Sequence, residues 1–549
     1  MHTEQSFHTK AATVALTCLA LLSAPLRADP YQRQPVDVEH YRFALTLSDS
    51  SNRIAGEAQI RVRLLSAGMT QIWFDLADQR DARKGLGMHV TSVSMDGKAL
   101  EFRHSDDRLL IGLPVALPAG IKITIDIRYD GTPFSGLYIG PTPNGDRAFF
   151  SDNWPDKGHH WLPLLDHVAD KATMEMDVRA PAHYQVISNG LRVETTDAVG
   201  SRRTVWRQSV PISPWLYALG VAEFAVQRVG DYNGVAIESW VFAKNRDAGF
   251  FDYAVPSKDA LAFYSEWVGP YAYEKLTNVQ SNSVSGGMEA ASAIFYSAGS
   301  VAGNRPVRWR NVIIHEIAHQ WFGNAVTESD WNEVWLSEGF ATYFTLLFIE
   351  HAYGRDEFAA GLRTSRKAII DFDAKTPDYR VIHANLTDMA QVTTRMIYEK
   401  GAWTLHMLRR ELGDDVFWAG IRDYYARHFN SNATTTDFRL AMERASGRDL
   451  KPFFDQWLYR GGIPHIDATW TWNASTKKVI LDVRQTQAGA SFIFPLEVGI
   501  TAADGAARIE QFVWNGSSAR ASFDSPTMPT SVELDPTLRA LFAGQLVRR

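Results

Sequence analysis

The sequence predicts a multidomain α+β protein: an N-terminal antiparallel β domain, a mainly helical middle domain and a small C-terminal β-sandwich. Three observations carry that expectation. From Tyr41 to about Val226 polar and apolar residues alternate with strand periodicity; from about Ala243 the periodicity turns helical; after Pro464 alternation returns. A chain of 549 residues is also too long for one hydrophobic core.

Each segment has its own reasons. Lys10 precedes the apolar run Ala11 to Leu22, and small residues with Pro25 lead to an expected cleavage point at Ala28. Residues 1–28 therefore read as a secretory signal, which predicts a secreted or periplasmic protein. The run is too short to span a bilayer stably, and no other stretch is long and apolar enough to be a membrane span. The single cysteine, Cys18, lies inside that leader, so the mature chain is expected to have neither disulfide nor thiol nucleophile. Over 29–228, the β domain, Glu57 to Leu64 alternates after Gly56, and Ile121 to Tyr129 alternates until Asp130-Gly131 turns the chain. Over 229–462 helices are expected from Ser257, as N-cap, to Val268, around His315, from Leu336 to Glu350, and from Asp356 to Ile370. Met389 to Leu412, Thr435 to Ala445 and Leu450 to Tyr459 complete the set. Arg460-Gly461-Gly462-Ile463-Pro464 ends helical patterning, and 463–549 resumes strands, with Ile466, Ala468, Trp470 and Trp472 on one face.

Composition narrows the function. Hydrophobic residues at 45% and charged residues at 21% suit an ordinary globular protein. A net charge of -6 supplies no basic footprint, so nucleic acid is not an expected partner. Nothing in the sequence bears on oligomeric state.

The chemistry concentrates in His315-Glu316-Ile317-Ala318-His319 and in Glu338, nineteen positions after His319. On a helix, positions i and i+4 share a face, so both imidazoles can grip one metal ion while Glu316 points towards the water that the metal activates. The plain alternative is an amphipathic helix with two partly exposed histidines. Apolar flanks, Val312-Ile313-Ile314 before and Trp321-Phe322 after, argue against it, because buried imidazoles need polar partners or a metal. Glu338 opens a second apolar helix and completes a His/His/Glu set of the kind that holds one catalytic zinc ion.

With these residues in place, the chain resembles the M1 family of zinc aminopeptidases, the gluzincin group that includes aminopeptidase N and leukotriene A4 hydrolase. Trp331-Asn332-Glu333-Val334-Trp335-Leu336-Ser337-Glu338-Gly339-Phe340-Ala341 is similar to the family's W-x-x-x-W-L-N-E-G-F-A. Gly286-Gly287-Met288-Glu289-Ala290 matches G-x-M-E-N, and Tyr398-Glu399-Lys400-Gly401 matches Y-x-K-G. The resemblance implies a thermolysin-like catalytic domain over 229–462 and a small β-sandwich after it. It implies one Zn²⁺ per chain on His315, His319 and Glu338, Glu316 as general base, and Tyr398 as oxyanion donor. It also implies a substrate strip of Gly286, Gly287, Met288 and Glu289, with Glu289 binding the free α-ammonium of peptide substrates. Two departures stand out. Ala290 replaces the usual asparagine, and the upstream position where the family places Gln or Glu falls at Asp152-Asn153-Trp154, making Asp152 the candidate substitute. His159, His160 and His167 match no metal spacing and read as packing or surface residues.

The expected function is a secreted zinc metallopeptidase that removes N-terminal residues from peptides. Two alternatives stand beside it. One is a zinc peptidase without a strict need for a free N-terminus, motivated by Ala290. The other is a non-catalytic, zinc-stabilised peptide-binding protein, which would need neither Glu316 nor Tyr398.

Overall fold

The computed structural model describes residues 33–383, 389, 392 and 394–549, and Pro35–Arg549 pack as one body. The secretory leader expected over residues 1–28 lies outside the described residues, as does part of the helical run expected from Met389. No helix among the described residues is long and apolar enough to cross a membrane.

The N-terminal part is built on an eight-stranded sheet. Across it run Leu191–Ala198, Ser201–Ile212, Ala172–Pro181, Val36–Thr46, Ile54–Leu64, Lys122–Thr132, Gly87–Met95 and Lys98–Ala99. All neighbours are antiparallel except Val36–Thr46 and Ala172–Pro181, which pair parallel. Ile54–Leu64 shows why the alternation was readable: its residues are buried and exposed in turn, with Ile54, Ala58, Ile60, Val62 and Leu64 inward.

The helical part follows. Five strands form its sheet, in the order Phe224–Tyr232, Val235–Phe242, Lys275–Ser281, Ala293–Ser297 and Gly287–Met288. The last is a two-residue edge strand. Against this sheet pack α1 (Arg246–Trp267) and α2 (Val307–His319), followed by α3 (Trp335–Tyr353), α4 (Arg355–Asp373), α5 (Gly401–Leu412), α6 (Asp414–His428) and α7 (Thr435–Ser446). One expectation is corrected. Ser257 does not cap a helix: α1 begins at Arg246, and Ser257 is buried in mid-helix with its hydroxyl donating to Tyr253 O. Ser257 is a residue type that suits an N-cap, but packing of α1 against the sheet carries the helix back to Arg246.

The C-terminal part has a four-stranded and a three-stranded sheet, whose buried residues include Ile466, Ala468, Trp470, Val479, Leu481, Leu496, Val498 and Ile500. It is anchored to the helices through Arg366, which pairs with buried Asp535 and lies over the Trp403 ring at 4.8 Å.

The loop after Ser151 matters most for the site. Trp154 meets Trp215 and Trp331 edge to face, with centroids 4.9 and 5.1 Å apart, and so joins the β part to the entry of α3. Further along, His159 Nδ1 lies 2.7 Å from Asp166 Oδ2. Burial opposes a charge on this imidazole, but the hydrogen bond and charge of Asp166, with Asp75 and Asp156 behind it, outweigh burial and raise it to about 9. Folding therefore favours the protonated form. The stabilisation, up to about 3 kcal/mol, is complete below about pH 6.5 and is lost as pH rises through about 9. His159→Gln should lower the thermal midpoint at about pH 6 and converge on the parent protein by about pH 10; an offset independent of pH would contradict the pairing.

Candidate active site

The site is assembled where α2 ends and α3 begins. Ile313, Ile314, Ile317 and Ala318 turn α2 into the core, which fixes the opposite register for His315 and His319. Their Nε2 atoms come within 3.1 Å of one another. Glu338, in the first turn of α3, places Oε2 3.4 Å from His315 Nε2 and 3.3 Å from His319 Nε2. Three donor atoms at these separations match the edges of a tetrahedron around one ion bound at about 2 Å. Glu338 Oε2 is buried and accepts no hydrogen bond.

The charge balance also calls for a cation. Glu289, Glu316 and Glu338 are exposed by only 5%, 6% and 4%, and face two imidazoles. Burial works against ionised Glu338, yet the neighbouring His319 and His315 hold it at about 2. Burial, reinforced by the other carboxylates, pushes Glu316 well above its ordinary range and Glu289 to about 7. Burial opposes a charge on His319 too, but Glu289 and Glu338 raise it to about 10, so the three carboxyl groups draw positive charge into the cluster, and the donor set His315, His319 and Glu338 fits zinc. Among the described residues, the groups able to hold a metal are these three and the overlapping Glu289, Glu316 and His319. His159, His160 and His167 join neither.

Outer contacts orient the imidazole. His319 Nδ1 lies 3.1 Å from Phe322 O and 3.0 Å from Ser337 Oγ, which turns Nε2 towards the other ligands. Glu333, close in sequence, is used elsewhere: it accepts from the backbone N–H and hydroxyl of Thr435 at the start of α7. Gly323 makes room for the turn, since a Cβ there would fall 2.2 Å from Ser337 Oγ and its φ is +110°.

The edge strand Gly287–Met288 closes over Glu316. A Cβ on Gly287 would lie 2.3 Å from Glu316 Cδ, whereas one on Gly286 would meet nothing within 4 Å. One glycine thus admits the glutamate and the other leaves the outer side open. Glu289 follows, with Oε1 accepting no hydrogen bond and 3.9 Å from His319 Nε2. The charge of Asp152 reaches Glu289, and Asp152 itself accepts from Lys157 Nζ at 3.1 Å.

Tyr398 sits in a π-helical turn, Met396–Lys400, that leads into α5. Its ring lies 6.2 Å from that of His315, nearly parallel at 14°. Burial, then the charges of Glu338, Glu289 and Glu316, keep its hydroxyl protonated and able to donate. Sequence reading missed what holds this turn. Lys400 is wholly buried, donates from Nζ to Gly462 O at 2.8 Å, and is lowered by burial to about 7. Gly339 and Gly401 meet backbone to backbone, a Cβ on either falling 2.9 or 3.0 Å from the other's Cα. That contact sets the spacing between the turn of Tyr398 and the helix of Glu338. Gly401→Ala should push the two apart and lower kcat by about a hundredfold, with zinc content unchanged; unaltered kcat would show that the spacing is not critical.

Comparison with known proteins bears on the family. The Peptidase family M1 domain matches residues 255–457 and the Peptidase M1 N-terminal domain matches residues 37–216. A probable aminopeptidase 2 of Sulfurisphaera tokodaii is 26% identical over 417 residues, covering 73% of this chain and 52% of that protein. The glutamyl aminopeptidase of Homo sapiens is 27% identical over 350 residues, covering 61% of this chain and 36% of that protein. The chain thus spans about half or less of the length of these relatives. Legionella pneumophila aminopeptidase A, solved in complex with aspartic acid, shares the fold with a TM-score of 0.77 at 20% identity over 94% of this chain and 60% of that one. A mutant M1 zinc metallopeptidase from Deinococcus radiodurans does so with a TM-score of 0.66 at 24% identity, over 77% and 94%. The two matched domains, which together span most of the sequence, place this chain in peptidase family M1.

Proposed function

We propose that this chain is an exported zinc metallo-aminopeptidase that removes N-terminal residues from peptides by attack of activated water. The observation that carries the reading is Glu289: a buried carboxylate with an oxygen that accepts no hydrogen bond, 3.9 Å from His319 Nε2 and beside a His/His/Glu donor set. An endopeptidase has no use for a fixed negative charge at that place, whereas a free α-ammonium would complete it through charge-assisted hydrogen bonds.

His315, His319 and Glu338 would hold one zinc ion, which when bound supplies Lewis-acid activation of water and of the scissile carbonyl. Glu316 takes a proton from the attacking water and delivers it to the leaving amine. Its environment suits the task, because burial and neighbouring carboxylates raise its proton affinity. Tyr398 donates to the developing oxyanion. The edge strand Gly287–Met288, with Gly286 open beside it, lets an extended peptide pair as an added strand. Asp152 adds a second negative charge near Glu289 and takes the part of the family's Gln or Glu. Ala290 favours the second reading, a peptidase tolerant of blocked N-termini, because it removes one polar group from the amine subsite.

Three outcomes test these assignments. Glu316→Gln should lower kcat by about 10²–10⁴-fold while zinc content is unchanged; activity near that of the parent protein would remove the general base from the scheme. Asp152→Asn should raise KM for free-amine aminoacyl anilides by about tenfold, roughly the loss of one charge-assisted bond, and leave kcat nearly intact; an unchanged KM assigns the subsite to Glu289 alone. Export rests on the leader, and mass spectrometry of the protein recovered outside the cytoplasm should find a chain beginning near residue 29 rather than at Met1.

A further inference from the structure

We propose that Gln320 and Asn324, two side-chain amides just beyond the last turn of α2, are positioning residues that build the ammonium-binding loop Glu289–Ser292. The proposal rests on the reading of Glu289 as the ammonium anchor. Gln320 Nε2 donates to Glu289 O at 2.9 Å, and its Oε1 accepts from Ser292 N at 3.0 Å. One side chain thus brackets both ends of the loop, as a neighbouring peptide group would. Asn324 Nδ2 donates to the same Glu289 carbonyl at 2.7 Å. Both amides are fully buried, so no water can substitute for a lost donor without rearrangement.

The loop's own contribution to its shape is one backbone bond, from Ala293 N to Ala290 O at 3.1 Å. Between Glu289 and Ser292 stand only Ala290 and Ala291, which contribute methyl groups. Ser292 is held at a φ of +62°, a region that L-residues seldom adopt. The strain is absorbed from outside: Lys275 Nζ donates to Ser292 O at 3.0 Å, and Gly190 N donates to Ser292 Oγ at 2.8 Å. The turn bearing Asn324 is fixed in its own right, because Lys171 of the β part donates from Nζ to Asn324 O and Ala325 O at 2.9 and 2.8 Å. Gln320 is the residue after His319. The frame that carries the zinc-binding imidazoles therefore also fixes the carboxylate that selects the amine. This explains how a chain with Ala290 can still present Glu289 in a defined place.

The test is equilibrium binding of leucinamide and of N-acetyl-leucinamide to the zinc-loaded full chain carrying Glu316→Gln, which suppresses turnover of the free-amine ligand, for that parent protein and for the added variants Glu289→Ala, Gln320→Met and Asn324→Ala. The parent should prefer the free amine, and Glu289→Ala should abolish the preference. Gln320→Met and Asn324→Ala should each reduce it by about tenfold, with zinc affinity and the affinity for the acetylated amide unchanged. If Glu289→Ala abolishes the preference and both amide variants keep it, the positioning role is overturned. If Glu289→Ala itself leaves the preference intact, the anchor reading fails and this inference with it. Should an amide variant not fold, Lys171→Met loosens the same turn from a partly exposed position; a reduced preference supports the proposal and a full one overturns it.

Discussion

Three carboxyl groups buried beside two imidazoles are the constraint on which the rest of this structure depends. Glu289, Glu316 and Glu338 are all nearly inaccessible to solvent, and their mutual repulsion in a poorly hydrated setting is unfavourable without added positive charge. On the proposed reading, a dication on His315, His319 and Glu338 would meet part of that demand, and the ammonium of a substrate would meet more of it. The electrostatic need and the proposed specificity thus have one source. A site that needed both a metal and a cationic N-terminus to balance its charge would favour ligands that supply the second once the first is bound.

Such a cluster can persist only if the backbone holds it, and glycine contacts do much of this. Gly287 lets the sheet edge lie on Glu316, Gly323 lets the turn after α2 pass Ser337 and His319, and Gly339 with Gly401 lets α3 and α5 touch. In each case a single methyl group would separate chemical groups that need contact. The polar anchors are long-range. Lys171 and the Trp154–Trp331 contact tie the β part to the site, and Lys400 ties the Tyr398 turn to the carbonyl of Gly462 at the approach to the C-terminal strands.

Much of this was legible in the sequence where periodicity or local spacing carries the signal. Alternation in Ile54–Leu64 corresponds to residues buried and exposed in turn. The i, i+4 histidines sit on one helix, and the structure brings Glu338 to them. What was not legible depends on contacts between distant segments. Nothing local to Lys400 says that it is fully buried with a carbonyl sixty-two residues away as partner, and nothing local to Ser337 says that its hydroxyl meets His319 Nδ1. The start of α1 was misplaced because Ser257 is a residue type that suits an N-cap, a local signal that packing of α1 on the sheet overrides. Gln320 and Asn324 stood beside the motif, yet their partners lie some thirty residues upstream in a loop whose shape only the fold reveals.

The most direct measurement of the central constraint is zinc binding coupled to stability. Metal analysis and thermal melting should be carried out on chelator-treated protein and on protein given back one equivalent of zinc, at neutral pH and fixed protein concentration. The account predicts one tightly bound zinc per chain and a higher melting temperature on its return, because the ion binds the folded state alone, with both effects lost in His319→Ala. A melting temperature indifferent to zinc, or full retention of zinc by His319→Ala, would contradict it.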